Sequence, residues 1–173
     1  MLIDEIIPNF DHHHTESTVL PGTPTDLYPR VRHAEFRDRA AARFLYRLRG
    51  LPDFPRSIDG MLAFGFVLIK EDPPHEFVFG LAGQFWTPSG GVVAIDPTEF
   101  AEFSEPGHSI VVTNFTLETR GPRRTRVSTE SRVRSNGQGA KLAMRAYWAL
   151  IYPFSKYLRR EMLRSINTSG LSE

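Results

Sequence analysis

The sequence of 173 residues contains no cysteine, which excludes disulfide scaffolds, thiolate zinc sites, iron–sulfur clusters and cysteine nucleophiles. Lysine is scarce: 18 of the 21 basic residues are arginine, the side chain better suited to bidentate pairing with carboxylates or phosphates. Long apolar runs are missing, and stretches such as residues 61–69 fall well short of the roughly 20 residues needed to cross a bilayer, so no membrane span is expected. The opening Met-Leu-Ile-Asp-Glu-Ile-Ile-Pro carries acid where a secretory leader carries base, and this predicts a cytoplasmic protein. There is no Gly-x-Ser-x-Gly elbow, no Gly-Lys-[Ser/Thr] phosphate loop and no dinucleotide glycine pattern; Ser89-Gly90-Gly91 reads as a turn. No internal repeat or Ser/Gly-rich linker divides the chain, and residues 1–173 are expected to form one domain.

What is present suits one packed core: 40% apolar residues, 12% aromatics and 24% charged residues. The net charge of +1 conceals segregation along the chain. Residues 30–49 hold seven arginines against Glu35 and Asp38, residues 51–118 hold ten acidic residues against Arg56 and Lys70, and residues 120–164 hold twelve basic residues against Glu130 and Glu161. Basic helices and a basic hairpin pairing with an acidic middle explain this best. A docking face for an acidic partner or anionic lipid comes second. Nucleic acid is not expected as a partner, because the aromatics sit in apolar runs and are not interleaved with the arginines.

Residues 10–20 lack a helical period and end at Pro21-Gly22, which predicts a strand. Thr23 can then cap a helix with Pro24 at its first position. A second helical stretch runs through Ala40-Ala41-Ala42-Arg43-Phe44-Leu45 to a stop at Gly50, so two short helices or one broken helix fill residues 24–49. Phe66-Val67-Leu68-Ile69-Lys70 reads as a strand closed by Asp72-Pro73-Pro74. A strand over residues 75–86 follows, with a bulge or bend expected at Gly80 and Gly83, and then another short strand over residues 92–95. Residues 109–119 and 125–133 form a hairpin across Gly121-Pro122 whose arginine-bearing face should be wet. The last helix is set by apolar residues at Met144, Tyr147, Trp148, Ile151, Phe154, Leu158 and Met162, spaced by three and four. Arg159 and Arg160 fall mostly off that stripe. Pro153 lies inside it and should bend the helix without ending it.

Strand, two short helices, several antiparallel strands and a long C-terminal helix is the element order of the helix-grip fold. Thr23-Pro24-Thr25-Asp26-Leu27-Tyr28 resembles the opening of the first helix in the START-like, Bet v 1-like (SRPBCC) superfamily that includes polyketide cyclases. Ser128-Thr129-Glu130-Ser131-Arg132-Val133, then Tyr147-Trp148-x-x-Ile151-x-Pro153-Phe154-Ser155 and Arg159-Arg160, resemble the C-terminal signature of an uncharacterised bacterial branch. Gly83-Gln84-Phe85-Trp86 and Phe103-x-x-Pro106-Gly107 are similar to the same branch. The resemblance spans nearly the whole chain. It implies an α+β fold in which a curved antiparallel sheet wraps the long helix, with a habit of holding apolar ligands; it supplies no activity.

The faces predicted to point inward are mostly apolar with a few hydroxyls, the composition both of a core and of a pocket for a lipid or polyketide-like molecule. Phe79, Leu81, Phe85, Thr113, Phe115, Thr129, Tyr147, Trp148 and Ile151 are the candidate ligand-binding residues. His12, His14 and Glu16 share one strand face and invite a zinc reading. With Val19 taken as inward, however, that face is the outer, solvated one. No metal, cofactor or catalytic residue is therefore assigned. The expected function is non-catalytic binding of a hydrophobic small molecule. One alternative is a cyclase or dehydratase acting through Tyr147, His13 or Thr129; a second is an interaction module using the basic face of the last helix.

Overall fold

The computed structural model describes residues 1–35, 57–63 and 65–168. Its elements are α1 (Leu2–Ile6), β1 (His12–Pro21), α2 (Pro24–Arg32), α3 (Ile58–Ala63), β2 (Val67–Asp72), β3 (Glu76–Gly83), a single 3-10 turn (Pro97–Glu99), β4 (Ser109–Gly121), β5 (Arg124–Ser135) and α4 (Gln138–Thr168). The strands form one antiparallel sheet in the order β1-β5-β4-β3-β2. Strands β2 to β5 make a meander, and β1 closes it at the far edge by pairing with β5. Helix α4 crosses the β1–β5 side of the sheet. This is the expected α+β, helix-grip arrangement of a curved antiparallel sheet around a long C-terminal helix.

The local chemistry explains each end. Thr23 and Asp26 form a reciprocal capping box at the start of α2, with Pro24 at the first helical position, satisfying donors that the helix itself leaves open. The second helical stretch expected at residues 40–49 lies outside the described residues. Between β4 and β5 the chain turns through Pro122-Arg123, with positive φ at Gly121 and Arg123. Helix α4 runs without interruption through Pro153, where the missing N–H removes one ladder bond.

Both faces of the sheet are covered, and here the hairpin expectation is corrected. Ile3, Ile6 and Ile7 of the α1 segment pack with Val78, Ala82, Ile110, Val112 and Phe100 on the face away from α4. Glu76, 6% exposed, anchors α1 by accepting bonds from the Leu2 and Ile3 amides at 2.7 and 3.3 Å and from Asn114 Nδ2 at 2.7 Å. Arg132, expected in water, is buried beneath this segment; it donates to the Ile7 carbonyl and pairs with Asp4 at 2.8 Å and Glu130 at 2.7 Å. Strand β3 carries no bulge against β4; the irregularity lies in β2, between Leu68 and Lys70. Gly80 is small for a different reason: a Cβ there would meet the Phe100 ring at 2.7 Å. Residues 92–95 contribute one isolated bridge, Val93 to Ala82, and no strand.

The segregated charge is partly resolved within the chain. Arg32 on α2 reaches Asp59 at 2.7 Å and Glu71 at 3.3 Å, the Tyr28 hydroxyl donates to Glu71 at 2.7 Å, and Lys70 pairs with Glu5. Among the described residues no helix is long and apolar enough to cross a membrane.

Candidate functional site

The face of the sheet beneath α4 has three zones, set by strand alternation and cross-strand register. At one end Phe77, Phe79, Phe115, Leu117 and Val127 pack with Leu20, with α2 and α3, and with Leu163 and Ile166 of α4. Three of these rings stack, Phe115 lying 5.1 Å from Phe77 and 6.2 Å from Phe79 between centroids. At the other end Phe85, Val133 and Met144 collect Leu81, Trp86, Val111, Tyr147 and Trp148. Between the two lies a polar belt. Thr113 faces Ser131 across the β4–β5 pair, and Ser131 faces His14 across β5–β1. In the next row Phe115 faces Thr129, and Thr129 faces Glu16.

Strand β1 therefore has the opposite facing from the one expected. Val19 is 46% exposed, while Leu20 is buried in the core. Counting back by twos from Leu20 brings Thr18, Glu16, His14 and His12 beneath the helix and sends His13, Thr15 and Ser17 outward. His14 is buried at 6% exposure. Its ring meets Tyr152 edge-on at 4.9 Å, and His12 stacks on Trp148 at 5.5 Å. His14 Nε2 lies 3.3 Å from Glu16 Oε1, but the two are not aligned for a hydrogen bond. Burial, followed by the nearby Arg159 charge, holds the His14 imidazole below its ordinary value of 6.5, with Glu16 opposing. Among the described residues no three His, Asp or Glu side chains are placed to hold a metal ion.

Arg159 is the other departure. Its expected place is off the inner stripe of the last helix. Instead Arg159 turns inward, donating from Nη2 to Ser131 Oγ at 2.6 Å. Ser131 Oγ is also hydrogen-bonded to Thr113 Oγ1, and Arg159 Nε makes a long bond of 3.4 Å to Ser155 Oγ. Burial pulls the Arg159 guanidinium down to about 10, with the Glu16 carboxylate opposing. Arg160 stays at the surface and pairs with Glu16 at 3.3 Å; Glu130 and Glu161 are taken by Arg132 and Arg164.

Among the described residues, three buried polar atoms in this belt have no hydrogen-bond partner: His14 Nε2, Thr129 Oγ1 and Arg159 Nη1. Buried polar groups are almost always paired, so three orphans on adjoining residues mark the belt as unfinished. Of the nine candidate residues, Leu81, Phe85, Tyr147 and Trp148 are brought into one cluster, Phe79 and Phe115 into the other. Thr113 and Thr129 lie in the belt, and Ile151 is half-buried on α4. The expectation missed His14, Glu16 and Arg159. A second period in the sequence, Met144, Trp148, Tyr152, Ser155, Arg159, Leu163 and Ile166, keeps strict four- and three-residue steps and would have found the arginine.

No protein-family model matches the chain, and no curated protein is similar to it in sequence. Solved structures with a similar course of chain include a conserved protein from Geobacillus kaustophilus, at 12% identity and TM-score 0.45, covering 91% of this chain and 94% of that one. The Zhui aromatase/cyclase from a Streptomyces species is similar at 10% identity and TM-score 0.34, covering 91% and 92%. The di-domain ARO/CYC BexL is similar at 9% identity and TM-score 0.37, covering 91% of this chain and 46% of that one.

Proposed function

We propose that this protein, as a single START-like domain of the uncharacterised bacterial branch that its sequence resembles, binds a hydrophobic small molecule between α4 and the sheet. A lipid-like or polyketide-like body fits the two apolar zones. The observation that carries this reading is the interrupted core: Leu81, Val111, Tyr147 and Trp148 remain half-buried beside a belt with three unpaired polar atoms. A face evolved for packing alone closes such a belt with apolar side chains. A ligand with an apolar body and a polar group completes both.

The test is Nile red binding followed by its own emission, together with native mass spectrometry of protein from its own host. Trp148→Arg places a charge at a half-buried position of α4 that packs against the Phe85, Val133 and Met144 cluster. The variant should keep its circular dichroism and lose the dye by tenfold or more, about 1.4 kcal/mol. Unchanged dye binding would refute a site under α4.

The cyclase or dehydratase reading gains one specific observation, the convergence of His14, Glu16, Tyr152 and Arg159. A His14 kept neutral near pH 7 is a competent base. His14→Gln separates the two readings, because glutamine still offers an N–H to a bound molecule but cannot take a proton from it: capture persists, and any conversion of a captured molecule by the wild type is abolished.

A further inference from the structure

Charge around the belt is unbalanced. Arg159 spends its hydrogen bonds on the neutral hydroxyls of Ser131 and Ser155, and no carboxylate lies within ion-pair distance of it among the described residues. Glu16, the carboxylate that acts on it electrostatically, is already paired with Arg160 at 3.3 Å and stands 3.3 Å from His14. Lys156 adds further positive charge near His14. A buried guanidinium with an idle N–H is strongly disfavoured unless something negative meets it.

The donors beside it have the same shortage. Thr129, at 0% exposure, offers an unused Oγ1 hydroxyl, and His14 offers Nε2 in the tautomer that protonates it. Thr129 stands two residues from Ser131 on the same strand face, and His14 stands directly opposite Ser131. Arg159 Nη1, Thr129 Oγ1 and His14 Nε2 thus surround one stretch of sheet next to the Ser131 hydroxyl that holds the guanidinium.

We propose that the ligand carries a carboxylate, received by Arg159 with the Thr129 hydroxyl and the His14 imidazole, while its apolar body lies in the flanking clusters. This rests on the reading of the face beneath α4 as a ligand site. The one buried guanidinium N–H and its two neighbouring donors match a monoanion with two oxygens. A phosphate dianion would bring more acceptors than these donors fill.

Matched acids and alcohols test this by calorimetry: decanoate against decanol, and 2-naphthoate against 2-naphthylmethanol. The wild type should prefer each acid by about tenfold or more, the range of a charge-assisted contact. Arg159→Gln should bring acid and alcohol within about twofold of each other with the alcohol unchanged. The surface variant Arg160→Gln should keep most of the preference. Arg159→Gln should also be at least as stable as the wild type without ligand, since it removes an unpaired buried charge; an arginine serving only the fold would lower the melting temperature when replaced. Thr129→Val supplies a second variant and should weaken acid binding by about fivefold. Equal affinity for acid and alcohol in the wild type, a preference surviving Arg159→Gln, or tighter binding of decyl phosphate than of decanoate would each overturn the proposal. If Nile red and the alcohols bind without acid preference, the hydrophobic site stands and only the carboxylate falls. If nothing apolar binds, both fall.

Discussion

Thr129 offers a direct measure of whether the polar belt is a site or a core. Its side chain is wholly buried on β5, facing Phe115 on one side and Glu16 on the other, and its hydroxyl has no hydrogen-bond partner among the described residues. An unmet buried hydroxyl is worth about 1–3 kcal/mol of lost stability. Valine has the same shape with a methyl in place of the hydroxyl, and adds apolar contact with no new volume to accommodate. Thr129→Val should therefore stabilise the ligand-free protein by about 1–2 kcal/mol, raising the melting temperature by roughly 2–8 °C for a domain of this size. Urea unfolding checks this with a shifted midpoint at unchanged m. Ser131→Ala is the contrasting control in the same strand. Its hydroxyl holds both Arg159 and Thr113, so its loss strands two buried groups and should destabilise by about 2–4 kcal/mol. A Thr129→Val protein less stable than wild type by 1 kcal/mol or more, on the scale of one satisfied hydrogen bond, would mean that the hydroxyl is already paired, and the argument from orphaned atoms would fail.

Further outcomes follow from the same contacts. The His14 imidazole is held below 6.5, so the unfolded chain takes up its proton first; stability should be full above pH 6.5 and decline as the pH falls from 6.5 toward the folded value. His14→Gln should flatten that decline in urea titrations at about pH 7.5 and 5.5, leaving only the share of His12, which is shifted the same way by burial. Glu76→Gln puts an amide donor opposite two helix N–H groups and should cost about 1–3 kcal/mol, with faster hydrogen exchange across residues 2–7; unchanged exchange there would show that α1 does not depend on Glu76. Phe115→Ala removes one of three mutually stacked, buried rings and should cost about 3–5 kcal/mol in thermal unfolding. A loss under about 1 kcal/mol would mean that the stack is not part of the packed core.

How far the sequence discloses this molecule depends on whether a signal is local. Helix α4 is legible because its apolar steps of three and four repeat over many turns, and the β4–β5 hairpin because two alternating runs flank a turn. The facing of β1 is not, because Val19 and Leu20 are adjacent apolar residues and a period of two passes equally well through either. Only pairing with β5, more than a hundred residues away, chooses Leu20 and turns His14 and Glu16 inward. Helix α1 is hidden for a similar reason: five residues have little helical stability of their own, and the group that fixes them, Glu76, lies on β3. The burial of Arg132 then follows from α1 and could not be read from the wet-looking alternation of β5. Arg159 shows a different failure. Two apolar stripes overlap on α4, and the one richer in hydrophobic residues is not the one that points at the belt.

The placement of the belt explains why a costly arrangement persists. The fully buried clusters that hold the fold lie at one end of the inner face and on the opposite face, where Phe77, Phe115 and Leu117, and Ile3, Ile110 and Val112, are sealed from solvent. The unpaired atoms occupy neither. They sit where edge strand β1 meets α4, with exposed Arg160 and partly buried Glu16 at the rim. An edge strand lacks a neighbour on one side, so its separation from a covering helix can change without breaking the β5–β4–β3 ladder. Desolvation is therefore incurred where the structure opens most easily, and the packing that opposes unfolding is kept elsewhere. That division lets the unpaired belt residues be replaced by apolar ones with a gain in stability and a loss of recognition, the trade expected of a binding site and not of a core.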